Sequence, residues 1–144
     1  YGMAGARVGY AMAEENLIKS FEKIRNHFGM SRLAQKAALE ALSDNQWLME
    51  MVQKVENGRQ RIYKIAANNN LQSITSSTNF VAIDCGKEGD FARRVLTELI
   101  SLGIFVRMPF VSPQDRCIRI SVGKKKDLDK FEMALPIALE RASK

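Results

Sequence analysis

The sequence is poor in the residue types from which metal and redox sites are built. It has one histidine, His27, and two cysteines, Cys85 and Cys117, which lie far apart and form no Cys-x-x-Cys pair. Zinc sites need several Cys or His ligands at close spacing. The sequence therefore predicts no metal site. The expectation for the cysteines is two buried free thiols in a reducing compartment.

Long apolar runs are also missing. Apolar residues make up 46% of the chain, but charged residues interrupt them too often for a transmembrane helix or a signal peptide. The formal net charge is +6, yet the basic residues are scattered, apart from residues 124–126, and are not interleaved with aromatic residues. A nucleic-acid surface would combine both features. We therefore expect neither a membrane nor a nucleic-acid partner.

Hydrophobic spacing divides the first half of the chain into a strand and three helices. Residues 8–13 are apolar on both alternations, which predicts a strand covered on both faces. A helix follows over residues 14–28, and Ser31 is a candidate N-cap for a second helix over residues 32–42. Ser43 and Gln46 give a capping-box pattern for a third helix of about 20 residues, in which Gly58 is the only weak point.

The second half alternates strands and helices in the order β-α-β-β-α. Strands are predicted over residues 79–84, 104–108 and 117–122. One helix begins near Asp90 and ends before Gly103, and the last opens around Asp127. Because the apolar spacing continues across Pro136, a kinked single helix is expected there. The predicted class is α/β, with a long helix leading into a small α+β domain.

The first ten residues, Tyr-Gly-Met-Ala-Gly-Ala-Arg-Val-Gly-Tyr, contain three glycines and one charge, Arg7. Glycine allows the backbone to turn tightly and to approach a ligand closely. A guanidinium in an apolar segment is desolvated only where a planar anion meets its donors. A phosphate or a carboxylate is therefore the expected ligand of Arg7.

A second arginine, Arg119, lies in the middle of the last predicted strand. Ile118, Ile120 and Val122 share one face of that strand, and Arg119 projects from the other. A cation at such a position needs an anion or water on its own side. Alternation alone leaves a structural ion pair and a contact with a ligand equally open.

Residues 1–10 resemble the segment that follows the Schiff-base lysine in class I and II aminotransferases, the fold-type-I pyridoxal-phosphate enzymes. The family pattern is Ser-Lys-x-Tyr/Phe-Gly-Met/Leu-Ala-Gly-x-Arg-Val/Ile-Gly, and residues 1–5 and 7–9 match it. The resemblance implies pyridoxal 5'-phosphate as the cofactor and Arg7 as a ligand of its phosphate. The lysine of the pattern would lie two residues before Tyr1, so the resemblance implies no catalytic residue in this chain.

Two further segments resemble the same family. Residues 117–123, Cys-Ile-Arg-Ile-Ser-Val-Gly, are similar to Cys-Leu-Arg-Ile-Thr-Val-Gly, whose arginine binds the substrate α-carboxylate; this is the role implied for Arg119. Arg107 precedes a proline-containing loop, as does an arginine that helps bind the substrate phosphate in the histidinol-phosphate aminotransferase subgroup. Here Met108-Pro109 stand where that subgroup commonly has Asp-Gln. A histidinol-phosphate type is implied, with an aromatic or other amino acid as the open alternative.

The resemblance covers essentially the full chain and implies the C-terminal part of an aminotransferase. Residues 1–44 would be a remnant of the large cofactor-binding domain, and residues 45–144 the interdomain helix and the small C-terminal domain. The implied substrates are an amino acid and a 2-oxo acid. The implied partners are the N-terminal remainder of the enzyme and a second copy in a homodimer. The expected location is the cytoplasm, or an organellar matrix or stroma if a transit peptide precedes the chain.

Two expectations depend on this interpretation. The chain alone should not transaminate, and residues 1–43 should expose apolar surface, because their strand belongs in a sheet whose other strands are absent. A different class of protein is also possible. It would be a noncatalytic anion-binding or interaction module in which Arg7 and Arg119 form structural ion pairs.

Overall fold

A computed structural model describes residues 1–144, which divide into two compact units, Tyr1–Val52 and Gln53–Lys144. The division falls within one continuous helix, Asn45–Asn68. None of the helices has both the length and the apolar character that a membrane span requires.

The first unit is helical. A short 3-10 turn at Ala4–Ala6 precedes α1 (Glu15–Glu22), α2 (Arg32–Ser43) and the first residues of α3 (Asn45–Asn68). The Oγ atom of Ser31 accepts the backbone N–H of Ala34 at 3.1 Å, which confirms the predicted N-cap of α2.

The cap of α3 differs from the predicted one. Asp44 Oδ1 accepts the N–H of Trp47 at 3.0 Å, whereas the hydroxyl of Ser43 donates to the carbonyl of Leu39 at 3.1 Å. Ser43 therefore belongs to the last turn of α2, and the neighbouring carboxylate takes its place as the N-cap. A carboxylate is a suitable cap because it both accepts the free N–H and carries a charge favourable to the helix dipole.

The predicted strand over residues 8–13 is wrong, because this segment has no regular secondary structure and residues 9–13 are exposed. A strand needs a neighbouring strand for its backbone hydrogen bonds, and the chain offers none here. Helix α1 is also shorter than predicted, since it ends at Glu22 and leaves His27 in an exposed turn.

The predicted apolar surface of residues 1–43 is confirmed. Tyr10, Met12, Ile24, Phe28 and Leu33 are each at least 67% exposed, and Ala34 is the only helical residue of this unit that is buried. The first unit therefore exposes large apolar side chains instead of burying them in a core.

The second unit is a three-stranded antiparallel sheet packed against helices. The strands are β1 (Gln72–Ile74), β2 (Phe80–Asp84) and β3 (Cys117–Ser121), in the spatial order β1-β2-β3. Helix α4 (Gly89–Ser101) follows β2, and α5 (Lys125–Ala142) ends the chain. One face of the sheet joins α3, α4 and α5 in the core, whose largest fully buried side chains are Ile62, Ile65, Val81, Ile83, Val95, Leu99, Ile118 and Leu135.

Two details of the predicted β-α-β-β-α order need correction. The short edge strand β1 was not predicted, and residues 104–108 form no strand, because only Arg107 pairs, in an isolated bridge with Arg119. Pro109 has no N–H with which to continue the ladder. Helix α5 runs without interruption through Pro136, so the predicted single helix is confirmed.

Two contacts connect α3 to the rest of the second unit. A Cβ atom added to Gly58 would lie 2.3 Å from Val122 Cγ1, so the helix approaches the end of β3 at this glycine. Three residues further along, Arg61 reaches α5, where its guanidinium lies 2.6 Å from Asp129 and 2.5 Å from Glu132.

Candidate functional site

Two arginines of the second unit lie side by side at the edge of the sheet. Arg119 is the central residue of β3 and pairs with Ala82 of β2 on one side and with Arg107 on the other. The N–H of Arg119 donates to the carbonyl of Arg107 at 2.6 Å, and the N–H of Arg107 donates to the carbonyl of Arg119 at 3.3 Å. Residues paired in this way project their side chains from the same face. The two guanidinium groups therefore share the face opposite the core.

Neither guanidinium has a carboxylate partner in this chain. The ion pairs of the second unit are made by other cations, such as Arg61, Arg93 and Arg116. Like charges placed directly opposite on neighbouring strands repel each other, so an anion bound between them would be stabilising. The structural ion pair that sequence alone left open for Arg119 is not found. The geometry favours a ligand with one or two negative groups.

Arg119 instead contacts an aromatic ring. Its guanidinium carbon lies over Phe80, 4.7 Å from the ring centroid. Phe80 opens β2 and shares the outer face of the sheet with Arg119. Sequence reasoning did not select Phe80, since the alternation of β2 places it on that face but cannot show which residues of β3 it meets.

Arg7 lies in the first unit, at the end of the 3-10 turn. Its backbone is left-handed, with φ 52° and ψ 42°, and its Nη1 donates to the carbonyl of Ala4 at 3.0 Å. This conformation costs a non-glycine residue about 1 kcal/mol, and such strained residues cluster at binding sites. The side chain is exposed and forms no ion pair. Its remaining N–H donors are free for an anion.

Ion pairs fix the loop between the two paired arginines. Arg116 Nε donates to Asp84 Oδ1 at 2.9 Å, and this hydrogen bond raises the pKa of Arg116 above its usual value. Arg116 is exposed but paired. Asp115 lies against the start of α4, where a Cβ atom on Gly89 would be 2.3 Å from its Oδ2. The loop is thus anchored at the end nearest β3.

The cysteines are both buried and free, as expected. Burial raises the pKa of the Cys85 thiol to about 12, and burial also raises the pKa of Cys117. Such thiols are poor nucleophiles and poor metal ligands. No group of three or more His, Cys, Asp or Glu side chains could bind a metal ion.

The comparison with known proteins identifies the family. The family model for aminotransferases of class I and II matches residues 1–135. This chain belongs to the class I and II aminotransferase family.

Named relatives of this aminotransferase chain share a single description. Histidinol-phosphate aminotransferase of Geobacillus sp. (strain WCH70) is 37% identical over 135 residues, which is 94% of this chain and 36% of the relative. Histidinol-phosphate aminotransferase 2 of Carboxydothermus hydrogenoformans is 35% identical over 97% of this chain and 38% of its own length. The chain therefore spans little more than a third of these relatives.

A solved structure gives the same result. The crystal structure of histidinol-phosphate aminotransferase from Sinorhizobium meliloti in complex with pyridoxal-5'-phosphate matches with a TM-score of 0.93 and 48% identity. It covers 98% of this chain, and the chain covers 39% of that protein. The expected fold, the C-terminal part of a fold-type-I aminotransferase, is confirmed. The individual roles of Arg7, Arg107 and Arg119 stay predictions.

Proposed function

We propose that this chain is the C-terminal part of a pyridoxal-phosphate-dependent aminotransferase that transfers an amino group between histidinol phosphate and 2-oxoglutarate. The observation that carries the proposal is the paired arrangement of Arg107 and Arg119, two guanidinium groups on one sheet face without a carboxylate. The high similarity to histidinol-phosphate aminotransferases supports the substrate type. The homodimer and the cytoplasmic location stay predictions.

The first unit has features that suit the phosphate of the cofactor. Arg7 offers free donors at the end of a tight turn, and Gly2 in the same turn region has a φ of 68°, which glycine adopts without strain. The role proposed for Arg7 is to bind that phosphate by charge-assisted hydrogen bonds. When bound, pyridoxal phosphate supplies the electron sink for loss of the substrate α-proton.

The second unit would orient the substrate. Arg119 would bind the carboxylate of the 2-oxo acid through two parallel N–H···O bonds, and Arg107 would help bind the phosphate of the amino donor. A bidentate contact fixes the plane of the carboxylate as well as its position. It thereby sets the direction of the reacting carbon, which is why its loss would reduce rate as well as affinity.

The test uses the complete enzyme that contains this chain, assayed with histidinol phosphate and 2-oxoglutarate. Arg119→Lys keeps the charge but removes the planar donor pair, so we expect KM for 2-oxoglutarate to rise about 10- to 100-fold. Arg107→Lys should raise KM for histidinol phosphate and leave KM for an amino acid without a phosphate nearly unchanged. Arg141→Lys, at an exposed ion pair with Glu98, is the matched control.

Two results would contradict the proposal. The absence of any cofactor-dependent transamination by the complete enzyme would reject an aminotransferase function. A higher kcat/KM for phenylalanine or tyrosine than for histidinol phosphate would reject the substrate type and favour the aromatic alternative.

A further inference from the structure

On the outer face of the sheet, Arg119 contacts the ring of Phe80 in addition to pairing with Arg107. Arg119 is half-buried in the middle of β3, where a long cationic side chain would be free to take several rotamers. Its guanidinium carbon lies 4.7 Å from the Phe80 ring centroid. The guanidinium forms no hydrogen bond or ion pair with another side chain of the chain.

The geometry of the sheet creates this contact. Ala82 is directly opposite Arg119, and Phe80 is directly opposite Ser121, so Phe80 and Arg119 are diagonal neighbours on one face. Diagonal pairs lie within reach of aromatic and long side chains. A ring attracts a cation through its π face without contributing a carbonyl or carboxylate oxygen. The five N–H donors of Arg119 therefore remain available to an external anion.

Phe80 is itself held in place by the turn that precedes β2. Its carbonyl accepts hydrogen bonds from Ser76 Oγ at 2.6 Å and from Thr78 Oγ1 at 3.2 Å. Two residues of α3 fasten the same turn: the hydroxyl of Tyr63 accepts the N–H of Ser76 at 2.9 Å, and Arg59 donates to the carbonyl of Thr78 at 2.9 Å. The backbone of Phe80 is therefore fixed by the hydroxyl groups of Ser76 and Thr78, and the turn before it is fixed by α3.

We propose that Phe80 is a positioning residue that holds the Arg119 guanidinium in the orientation in which it meets an anionic substrate. The inference rests on the proposed function, because it takes the substrate carboxylate as the ligand of Arg119. Phe80 itself does not touch the reacting atoms. Its contribution is to reduce the number of orientations that Arg119 must lose when the substrate binds.

The contact can be measured without turnover. In the complete enzyme, isotope-labelled at arginine, the ring current of Phe80 should displace the NMR signal of the Arg119 Nε–H group. Phe80→Leu should abolish that displacement, and Phe80→Tyr should retain it. An Arg119 signal that is the same in the wild type and in Phe80→Leu would overturn the proposal.

The consequence for binding is measured in the complete enzyme as the Kd of 2-oxoglutarate by calorimetry, together with kcat and KM. Phe80→Leu should raise Kd and KM roughly 2- to 30-fold, the range that a cation–π contact supports, with a smaller effect on kcat. Phe80→Tyr should restore both values. Equal Kd values in Phe80→Leu and the wild type would overturn the proposal.

A matched control separates positioning from stability. Phe91 also has cations over its ring, Lys87 at 4.4 Å and Arg94 at 5.6 Å, but it lies in the core at the start of α4. Phe91→Leu should lower the free energy of unfolding and leave Kd unchanged. If Phe91→Leu raised Kd as much as Phe80→Leu, the effect would be one of stability and the positioning role would be wrong. A wild-type enzyme that does not transaminate rejects the proposed function instead, and the Kd comparison, which needs no turnover, still decides the role of Phe80.

Discussion

Replacing Gly58 by alanine should destabilise the second unit, although alanine is the better helix former. In an open helix this change would stabilise by about 1 kcal/mol, because glycine loses more backbone entropy on folding. Here the new methyl group would lie 2.3 Å from Val122 Cγ1, far inside the distance of about 3.5 Å at which carbon atoms attract each other.

The neighbour cannot easily move away. Val122 is β-branched and stiff at χ1, and its N–H donates to the carbonyl of Asn79 at 2.9 Å, which fixes its backbone. Relieving an overlap of this kind costs about 1–3 kcal/mol. Set against the gain of about 1 kcal/mol in helix propensity, the net expectation for Gly58→Ala is a loss of about 1 kcal/mol.

The assay is urea unfolding of the chain followed by circular dichroism. Val122→Ala removes the obstructing methyl groups, so in that background Gly58→Ala should change sign and stabilise. Gln60→Gly, on the exposed side of the same helix, measures the propensity term alone and should cost about 1 kcal/mol. Stabilisation by Gly58→Ala in the presence of Val122 would refute the close approach of α3 to the end of β3.

Three further predictions follow from the ion pairs, the thiols and the apolar surface. The Arg61 hydrogen bond lowers the pKa of Asp129 in the folded state, so the ion pair stabilises the fold above the ordinary carboxyl pKa and is lost as the pH falls below about 4. The difference in unfolding free energy between the wild type and Arg61→Gln should therefore shrink below that pH. A constant difference from pH 6 to pH 3 in urea unfolding would contradict this. Because burial raises the pKa of Cys85 from 9.0 to about 12, the folded state loses stability as the pH rises above 9. Neither Cys85 nor Cys117 should react with a disulfide reagent at pH 8 until the chain unfolds, because both thiols are buried. Rapid labelling of the native chain would show instead that the thiols are accessible. The exposed apolar side chains of Tyr1–Val52 should cause self-association, which a clean monomer in sedimentation at high concentration would exclude.

The sequence predicted the face of β3 on which Arg119 lies, but not the pairing of Arg119 with Arg107. The alternation of β3 placed Arg119 on the outer face, and the structure agrees. That Arg107 would lie directly opposite could not be predicted, because the register depends on how residues 108–116 fold, and a shift of one residue moves a side chain to the other face. Phe80 was missed for the same reason, since its role depends on which residue of β3 lies diagonal to it.

Local sequence patterns predicted the structure wrongly where it depends on a neighbouring strand or helix. The apolar run over residues 8–13 has the composition of a buried strand, but a strand forms only against another strand. Gly58 was interpreted as a weak point of α3, yet it is the position at which the helix comes closest to Val122. By contrast, the N-cap at Ser31 and the passage of α5 through Pro136 depend on the local sequence and on continuous apolar spacing, and both were predicted correctly.

Because Arg107 pairs through a single bridge, its backbone is joined to the sheet by fewer hydrogen bonds than that of β3, which contains Arg119. Arg119 lies in a strand paired at every residue with β2, so its position is shared with the whole sheet. Arg107 is hydrogen-bonded to that sheet only through Arg119, its neighbours Val106 and Met108 are buried in the core, and residues 110–114 beyond them are exposed. Insertions or substitutions within residues 110–114 can therefore be accommodated while the sheet and Arg119 stay unchanged. A protein built in this way can vary the segment between the two arginines and keep the position of Arg119.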